Sequence, residues 1–583
     1  MFFNIGWYTL NHQLAKSRPE LSQGLLTGLG IDDQFPQQRI VVGCHLRNMM
    51  QAPLVLTDFV KRAERYFPKK LIISRTAENT IHRITYKEFG QRTRKLAKAL
   101  TKLGMKRGTK VGSFAWNHHR HLEAYFAVPC AGAVLHMINI RLSPEHIIYI
   151  INHAEDEILL IDGDLFPLVE KAIPMLKSVK HIVVMQDGLE LPETTLENVH
   201  SYEQLLADAG EDYEFPEDLD ENMPAGMCYT SATTGFPKGV VYTHRSLVLH
   251  SIALGLADSL GIRESDVAMP VVPMFHVNAW GMPFAAVNFG TTQVLPGPMF
   301  TPALLLDLIE QEKVTLTAGV PTIWLGVLKE LEGNPRDISS LRTIISGGSA
   351  SPKGLIKAFE EKYNVPFIVG YGMTETSPIV SLSTYTTEME QWSKEEKLDI
   401  RATQGLTVSL IETRVVNETG EVPWDGKTMG ELTIRGPWIA DEYYRDERTA
   451  EAFKDGWLYT GDIAVMTPEG YIKITDRVKD LIKSGGEWIS SVDLENALMT
   501  HEDVFEAAVI AIPDEKWQER PLACIVLKEG RTTTKEQLLT YLEGQFAKWW
   551  VPDHVVFLKE IPKTSVGKFL KAKLREDLKS LKL

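Results

Sequence analysis

Apolar residues follow two patterns that alternate along the chain. Residues 57–65 and 86–103 carry apolar positions at helical spacing, and Thr57 and Asp58 are expected to cap the first of these helices. Short, nearly continuous apolar runs such as residues 157–162 lie between the helical segments and are typical of buried strands. Helices that alternate with buried strands favour a mostly parallel sheet with helical crossovers. The pattern therefore predicts an α/β fold.

The pattern changes after Leu406. From there to residue 475 the sequence pattern predicts short strands, which favours a β-rich, barrel-like part within the α/β fold. Helix and strand patterns mix again over the last stretch of about 100 residues, which is long enough for a small α+β domain. We therefore predict a large N-terminal domain of several subdomains over residues 49–476, a hinge at residues 477–480 and a small C-terminal domain over residues 481–583.

Residues 1–48 show no sustained period and differ from the rest of the chain. We predict that they are an N-terminal extension. Translation from an upstream start codon would explain them, and a segment that docks on the protein is the alternative.

Composition narrows the class of protein. The chain has 583 residues and a net charge of −14, which argues against general binding of nucleic acid and against simple attachment to anionic lipid. Its longest apolar run, residues 124–135, is interrupted by Pro129 and Gly132 and is too short for the roughly 18 residues that cross a bilayer. We expect no integral membrane segment, although transient contact with a membrane stays compatible with the sequence.

The four cysteines are far apart and form no C-x-x-C pair, which favours a reducing compartment and no structural zinc. The N-terminus lacks a basic region followed by an apolar core, so no secretory signal is predicted. Together these features predict a cytoplasmic protein.

The stretch from Tyr229 to Gly239 reads Tyr-Thr-Ser-Ala-Thr-Thr-Gly-Phe-Pro-Lys-Gly and lies between two short apolar runs. It offers backbone N–H groups, hydroxyls and one cation, which are the groups that bind a polyphosphate. It is not a Walker A loop, because G-x-x-x-x-G-K-[ST] is absent. A polar surface turn is the alternative.

This stretch resembles the phosphate-binding signature of the adenylate-forming enzymes, which include acyl-CoA synthetases, luciferases and peptide-synthetase adenylation domains. Ala232 stands where that family usually has glycine. The motifs Tyr-Gly-Met-Thr-Glu-Thr at residues 371–376 and Tyr-Thr-Gly-Asp at residues 459–462 resemble further parts of the family. The resemblance implies that ATP contacts Thr230, Ser231, Thr233, Thr234, Gly235, Lys238, Val277, Gly347, Gly348, Gly370, Tyr371, Gly372, Thr374, Asp462, Arg477, Lys479 and Lys483.

Within that set the resemblance implies individual roles. Glu375 and the Thr230 hydroxyl are expected to bind Mg²⁺, which proteins hold on nucleotides through one or two oxygens. Tyr371 is expected against the adenine and Asp462 at the ribose. Taken alone, Glu375 could equally be a cap or an ion-pair partner, and Asp462 a turn residue.

The C-terminal motif Pro-Lys-Thr-Ser-Val-Gly-Lys ends at Lys568 and resembles the family's catalytic lysine. Such a lysine stabilises the negative charge that builds up between an attacking carboxylate and the α-phosphate. The resemblance also implies a mobile C-terminal domain that rotates about Lys479, after which CoA contacts Lys483, Gly485, Gly486 and Trp488. A lysine in a charged C-terminal helix is otherwise typical of a solvated face.

Residues 274–281, Met-Phe-His-Val-Asn-Ala-Trp-Gly, resemble bacterial medium- and long-chain fatty-acyl-CoA synthetases. The resemblance implies a fatty-acid tunnel at His276, Trp280 and Gly281, with Trp280 as its gate, and a homodimer. His276 is expected to take part in catalysis or to shape the acyl pocket, with a purely structural role as the alternative. The expected reaction joins a fatty acid to CoA with ATP.

Three other functions stay open at this point. A ligase for short-chain, aryl or thio-substituted acids would share the same motifs. A fatty-acyl-AMP ligase that loads a carrier protein usually has an insertion before the C-terminal domain, and none is evident. A non-catalytic nucleotide-binding protein is disfavoured by the presence of Lys568, Glu375 and Asp462.

Overall fold

The computed structural model describes residues 49–77, 79–210, 212–230, 236–477, 479–484, 487–514, 516–563 and 569–579. The chain divides into two compact units, Met1–Ala52 and Pro53–Leu583. The predicted extension at residues 1–48 lies outside the described residues, and the described helices and strands belong to the second unit. The predicted boundaries at residues 48–49 and around the hinge stay predictions.

The strands of the first half of the fold are β1 (Leu71–Arg75), β2 (Ile81–Thr85), β3 (Lys110–Phe114), β4 (Val134–Met137), β5 (Ile158–Asp162), β6 (His181–Met185), β7 (Val199–Ser201), β8 (Pro224–Tyr229), β9 (Gly239–Thr243), β10 (Val267–Pro270), β11 (Thr292–Leu295), β12 (Leu316–Gly319), β13 (Thr343–Gly347) and β14 (Phe367–Gly372). The later strands are β15 (Ile379–Leu382), β16 (Leu406–Thr407), β17 (Glu412–Asn417), β18 (Gly420–Glu421), β19 (Gly430–Arg435), β20 (Phe453–Lys454), β21 (Trp457–Met466), β22 (Ile472–Arg477), β23 (Ile482–Ser484), β24 (Glu487–Ile489), β25 (Val504–Asp514), β26 (Gln518–Leu527) and β27 (His554–Phe557).

The α-helices alternate with these strands. They are α1 (Thr57–Tyr66), α2 (Tyr86–Lys102), α3 (His119–Cys130), α4 (Pro144–Ala154), α5 (Phe166–Glu170), α6 (Tyr202–Ala209), α7 (His244–Gly255), α8 (Met282–Phe289), α9 (Pro302–Glu312), α10 (Pro321–Gly333), α11 (Lys353–Lys357), α12 (Lys394–Arg401), α13 (Thr449–Ala452), α14 (Ser491–Met499), α15 (Lys535–Glu543) and α16 (Lys571–Leu578).

Two largely parallel sheets form the large part of the molecule. The first has the order β7-β6-β5-β3-β4-β8-β9, with only β9 antiparallel to its neighbour. The second has the order β16-β15-β14-β13-β12-β10-β11-β1-β2, and its six central strands are parallel. In the second sheet Gly347 lies opposite Gly370 at the carboxyl ends of β13 and β14. Ligands bind beyond such ends in open α/β sheets, so the predicted glycine turns share one edge.

Two smaller sheets complete the fold. The third is antiparallel, has the order β18-β17-β19-β21-β20 with β22 paired to β21, and occupies the part predicted to be β-rich. The fourth joins β24-β23-β26-β25 with β27 and carries α14, α15 and α16. The mixed α/β fold and the small α+β C-terminal part are therefore confirmed.

Most predicted elements are present, and one predicted cap is wrong. Helix α1 begins after Leu56, and no side chain caps it. Instead the Leu56 N–H donates to His244 Nδ1 at 3.2 Å, a partner 188 residues away. By contrast Thr85 and Glu88 form a complete capping box at the start of α2. Across the described ranges, no helix is both long and apolar enough to cross a bilayer.

Gly405 joins the second and third sheets and has a backbone φ of +91°. A Cβ at this position would lie 2.0 Å from the carbonyl carbon of Leu382. We expect Gly405→Ala to lower the free energy of unfolding by about 2–4 kcal/mol, from left-handed strain plus backbone overlap. Urea-induced unfolding measures the change.

Gly420→Ala is the matched control, because its φ is +115° and a Cβ there would meet nothing within 4 Å. It should cost about 1–2 kcal/mol from backbone strain alone. Equal losses in the two variants would contradict the role of the Leu382 contact.

Candidate active site

A cavity of about 600 Å³ lies beyond the carboxyl ends of the parallel strands. Its polar side includes Thr230 and Lys238 from the loop between β8 and β9 and Glu375 from the segment after β14. Its apolar side includes Leu254 and Ile379. One cavity therefore offers groups for phosphate binding beside groups for an apolar ligand.

A hydrogen-bonded chain crosses the polar side. Lys238 Nζ donates to the Tyr443 hydroxyl at 2.8 Å, and that hydroxyl donates to Glu375 Oε1 at 2.7 Å. Lys238 also lies 3.9 Å above the centre of the Tyr443 ring. Burial lowers the pKa of Lys238, although Glu375 opposes the shift. These hydrogen bonds hold the Lys238 ammonium and the buried Glu375 carboxylate in fixed positions on the cavity wall.

The two ends of the predicted phosphate loop are tied together. The Thr230 N–H donates to the Lys238 carbonyl at 2.9 Å, and the Lys238 N–H donates to the Thr230 hydroxyl at 3.1 Å. The first bond extends the antiparallel pairing of β8 with β9, and the second ties the Thr230 side chain to the end of the loop. The loop's predicted ligands Ser231, Thr233, Thr234 and Gly235 lie outside the described residues.

A second ion pair, whose carboxylate is buried, lies beside the glycine turns. The Tyr371 hydroxyl donates to Asp462 Oδ2 at 2.6 Å, and Arg477 Nε lies 2.5 Å from Asp462 Oδ1. Asp462 raises the pKa of Arg477, and burial raises the pKa of Tyr371. The carboxylate is only 2% exposed, so these two partners compensate its loss of water.

The glycines allow close packing at this point. A Cβ at Gly347 would lie 2.7 Å from the Gly370 carbonyl oxygen and 3.1 Å from the Trp280 ring. Trp280 itself lies on a turn, Val277–Gly281, in which all five residues have positive φ. Such backbone costs roughly 1–2 kcal/mol for each residue that has a side chain. The turn is thus a strained element that presses an indole against the glycine edge.

Asn278 adds a second unfavourable feature to this turn. Its side chain is fully buried, and neither of its amide atoms has a hydrogen-bond partner among the described residues. Gly281 packs so closely on helix α7 that a Cβ there would lie 2.5 Å from the His250 ring. His276 lines the cavity directly before this turn.

A second cavity of about 470 Å³ lies between the large part and the C-terminal sheet. Gly348, Tyr371 and Asp462 line one side, and Phe569 and Leu570 line the other. The segment that directly follows Lys568 therefore faces the glycine edge. Lys568 itself, Gly485 and Gly486 lie outside the described residues.

Lys483 and Trp488 occupy a different place. The Lys483 ammonium lies 5.4 Å from the centre of the Trp488 ring, and the indole is 43% exposed. Neither of these two described residues lines either cavity. In this arrangement Lys483 and Trp488 are at the surface, while Phe569 and Leu570 line the second cavity.

The structure brings most predicted site residues together. Those that line the first cavity are Thr230, Lys238, His276, Val277, Trp280, Gly348, Gly370, Tyr371, Gly372, Thr374, Glu375, Arg477 and Lys479. Asp462 and Gly347 adjoin it through Tyr371 and Trp280, and Gly281 directly follows Trp280 in the chain. Their individual roles stay predictions.

Three residues at this site were not predicted from the sequence. Tyr443 bridges Lys238 and Glu375, Arg448 donates to the carbonyl of Phe236 at 3.1 Å, and Glu431 accepts from the Gly461 N–H at 2.9 Å. Tyr443 and Arg448 lie in a stretch rich in charged residues that is typical of a solvated loop. Within that stretch, the adjacent tyrosines Tyr443 and Tyr444 are the only sequence feature that indicates buried positions.

The donor set suits Mg²⁺. Glu375 is 4% exposed, lines the cavity with Thr230 and has only Oε1 engaged by Tyr443 among the described contacts. A carboxylate and a hydroxyl beside a polyphosphate are ligands that Mg²⁺ takes in proteins. Glu375 and Thr230 would hold the ion here.

Comparison with known proteins gives consistent matches. The pattern of the AMP-binding enzyme family matches residues 59–444, and that of the AMP-binding enzyme C-terminal domain matches residues 493–568. A long-chain-fatty-acid–CoA ligase of Thermus thermophilus is 51% identical over 535 residues, which are 91% of this chain and 97% of that protein.

Two other matches extend the comparison. A 3-methylmercaptopropionyl-CoA ligase of Ruegeria lacuscaerulensis is 42% identical over 92% of this chain and 99% of that protein. The crystal structure of the anthranilate CoA ligase AuaEII with anthranoyl-AMP superposes with a TM-score of 0.81 at 26% identity. That superposition covers 91% of this chain and 98% of the other.

We expect Tyr443→Phe to lower the free energy of unfolding of the ligand-free protein by about 1–3 kcal/mol, because buried Glu375 and Lys238 lose the hydroxyl that joins them. Urea-induced unfolding measures the change. Tyr444→Phe is the matched control, since the Tyr444 hydroxyl is buried and has no hydrogen-bond partner in the described structure. Its removal should be neutral, and a similar loss in both variants would contradict the bridging role.

Proposed function

The chain belongs to the family of AMP-binding enzymes, and on that premise we propose that it joins a medium- to long-chain fatty acid to CoA. The acid is activated by ATP as acyl-AMP with release of pyrophosphate, and CoA then displaces AMP. The observation that carries the proposal is the single cavity in which Lys238 and Glu375 lie beside an apolar wall.

In the first step a carboxylate oxygen of the acid attacks the α-phosphorus of ATP. A phosphorus–oxygen bond to the acyl group forms, and the bond to pyrophosphate breaks. The attacking carboxylate is already ionised at neutral pH, so no general base is needed. Lys568 stabilises the charge that builds up between the two anionic groups, a contribution worth on the order of 10²–10³ in rate.

The cavity residues bind and orient ATP in this scheme. Lys238 and the loop after Thr230 bind the phosphates, Asp462 accepts hydrogen bonds from the ribose hydroxyls, and Tyr371 lies against the adenine. Glu375 and Thr230 would hold Mg²⁺, which would supply neutralisation of the phosphate charge. Tyr443 holds the Glu375 carboxylate in position through the bond at 2.7 Å.

In the second step the thiol of CoA attacks the acyl carbonyl carbon, a thioester forms, and AMP leaves. Lys483, Gly485, Gly486 and Trp488 then line the path of CoA. Because Lys483 and Trp488 lie on the surface in the present arrangement, this step requires the C-terminal domain to rotate about residues 477–480. One site thereby carries out two reactions.

The substrate class rests on the apolar side of the cavity and on the relatives. Leu254, Leu260 and Leu382 are among the aliphatic side chains there, and Trp280 borders them. The relative at 51% identity is named for long-chain fatty acids. The relative named for 3-methylmercaptopropionate favours a short thio-substituted acid as the second candidate. We further propose a cytoplasmic homodimer.

Release of AMP in the presence of ATP, Mg²⁺ and CoA tests the function across straight-chain acids from C2 to C18, 3-methylmercaptopropionate and benzoate. We expect the highest kcat/KM between C8 and C18. A maximum at shorter acids or benzoate would keep the mechanism and overturn the substrate class. Acyl-AMP without thioester would indicate a carrier-protein acceptor, and no acyl-AMP from any acid would overturn the enzyme assignment.

Trp280→Ala should shift the preferred acid to a longer or bulkier one while the KM for ATP changes little, because the indole borders the apolar side and opens space when removed. The same acid series measures the shift. Trp424→Ala is the control, since Trp424 is 54% exposed and does not line either cavity. An acid profile identical to that of wild type would contradict the placement of Trp280 at the acyl site.

A further inference from the structure

Three charged side chains are buried together where the C-terminal domain meets the hinge. Asp476 is 1% exposed and Glu495 is 7% exposed, while the Lys571 side chain is 10% exposed. Asp476 lies near the end of β22 of the large part, Glu495 lies on α14, and Lys571 begins α16. Burying a charge costs free energy unless the charge is paired. The three side chains must therefore be held next to one another in a defined geometry.

Hydrogen bonds connect the three elements. Lys571 Nζ lies 2.7 Å from Glu495 Oε1 and also donates to the Ser491 hydroxyl. The Ser491 N–H donates to Asp476 Oδ2 at 2.8 Å. Glu495 in turn accepts from the Val509 N–H of β25 at 2.7 Å. The first residue of α16 is thus linked to the C-terminal sheet and, through Ser491, to the large part.

Charge reinforces these bonds. Burial acts to lower the pKa of Lys571, but Glu495 and Asp476 outweigh it and raise that pKa, so the ammonium stays charged. It is the cation that compensates both buried carboxylates. A separate pair, Arg575 with Asp480 at 2.6 Å, connects the same helix to the hinge.

The position of the cluster relates it to catalysis. Lys571 is three residues after Lys568, and the intervening Phe569 and Leu570 face the cavity that Gly348 and Tyr371 also line. The present docking therefore places the two residues that directly follow Lys568 at the cavity beside the glycine turns. A rotation about residues 477–480 would leave Asp476 with the large part and carry Ser491, Glu495 and Lys571 away.

We propose that Lys571 is a positioning residue. Its ion pair with Glu495 and its hydrogen bond to Ser491, which in turn binds Asp476 of the large part, fix the docking of the C-terminal domain in which Lys568 reaches the reacting phosphate. The inference rests on the proposed function and deepens it. The cluster favours acyl-AMP formation and must open before the thioester step. Buried ion pairs contribute little net stability but select one geometry, and the loss of one partner is strongly unfavourable.

Two half-reactions of the full-length enzyme test this role. Acyl-AMP formation is measured with ATP, Mg²⁺ and the preferred acid in the absence of CoA, and thioester formation is measured from supplied acyl-AMP and CoA. We expect Lys571→Met to slow the first by about tenfold or more, since two buried carboxylates lose their cation. The second should keep the wild-type rate.

Lys573→Met is the matched control on the same helix. The Lys573 ammonium is half-exposed and pairs with Glu576 and Asp577, so both half-reactions should be unchanged. Asp476→Asn keeps an acceptor for the Ser491 N–H and removes one charge. It replaces Lys571→Met in the same assays if that variant does not fold. Combining the two substitutions should cost less than the sum of their separate losses, because the net charge of the cluster is then the same as in wild type.

Equal loss of both half-reactions, or acyl-AMP formation at the wild-type rate in Lys571→Met, would overturn the proposal. Tryptic cleavage at Arg477, Lys479 and Lys483 gives a readout that needs no activity. It should be faster in Lys571→Met than in wild type and Lys573→Met, and unchanged cleavage would also overturn the proposal. A wild-type enzyme that forms no acyl-AMP from any acid would instead overturn the proposed function.

Discussion

The contact from Lys238 through Tyr443 to Glu375 is the interaction on which the site depends. Lys238 directly precedes a strand of the first sheet, Glu375 follows a strand of the second, and Tyr443 lies in the region of the third. A buried carboxylate is stable only when donors replace its water. The three sheets must therefore meet with the spacing that two hydrogen bonds allow, and this spacing defines the polar side of the cavity.

The apolar side is built by a different constraint. Five consecutive residues at 277–281 adopt positive φ, and the absence of a side chain at Gly347 lets the Trp280 ring approach the glycine edge. Strain of this kind persists only where the surrounding packing determines it, and it is common at functional sites. The strained turn places an aromatic ring between the glycine edge and the aliphatic side chains of the cavity, an arrangement that suits the proposed acyl-adenylate.

The C-terminal domain adds a third constraint, which concerns orientation. Its docking on the large part includes the buried cluster of Asp476, Glu495 and Lys571, whereas Lys483 and Trp488 stay at the surface. Hydrogen bonds to buried charges are directional, and the loss of one partner is strongly unfavourable, so such a contact discriminates between orientations more sharply than apolar packing does. An enzyme that uses one cavity for two successive reactions needs such a selective contact, because each reaction requires a different group from the same domain.

By itself the sequence determined the fold class, most helices and strands, and the segments that converge on the cavity. These features arise from local periodicity and from glycine and hydroxyl motifs placed after strands, which act at short range. Only the tertiary structure decided that Tyr443 joins Lys238 to Glu375 across 205 and 68 residues, and that Lys571 is buried between carboxylates. Tyrosines and lysines in charged stretches are usually solvated, and nothing local distinguishes the few that long-range packing buries. The His244 contact that replaces a cap on α1 has the same origin.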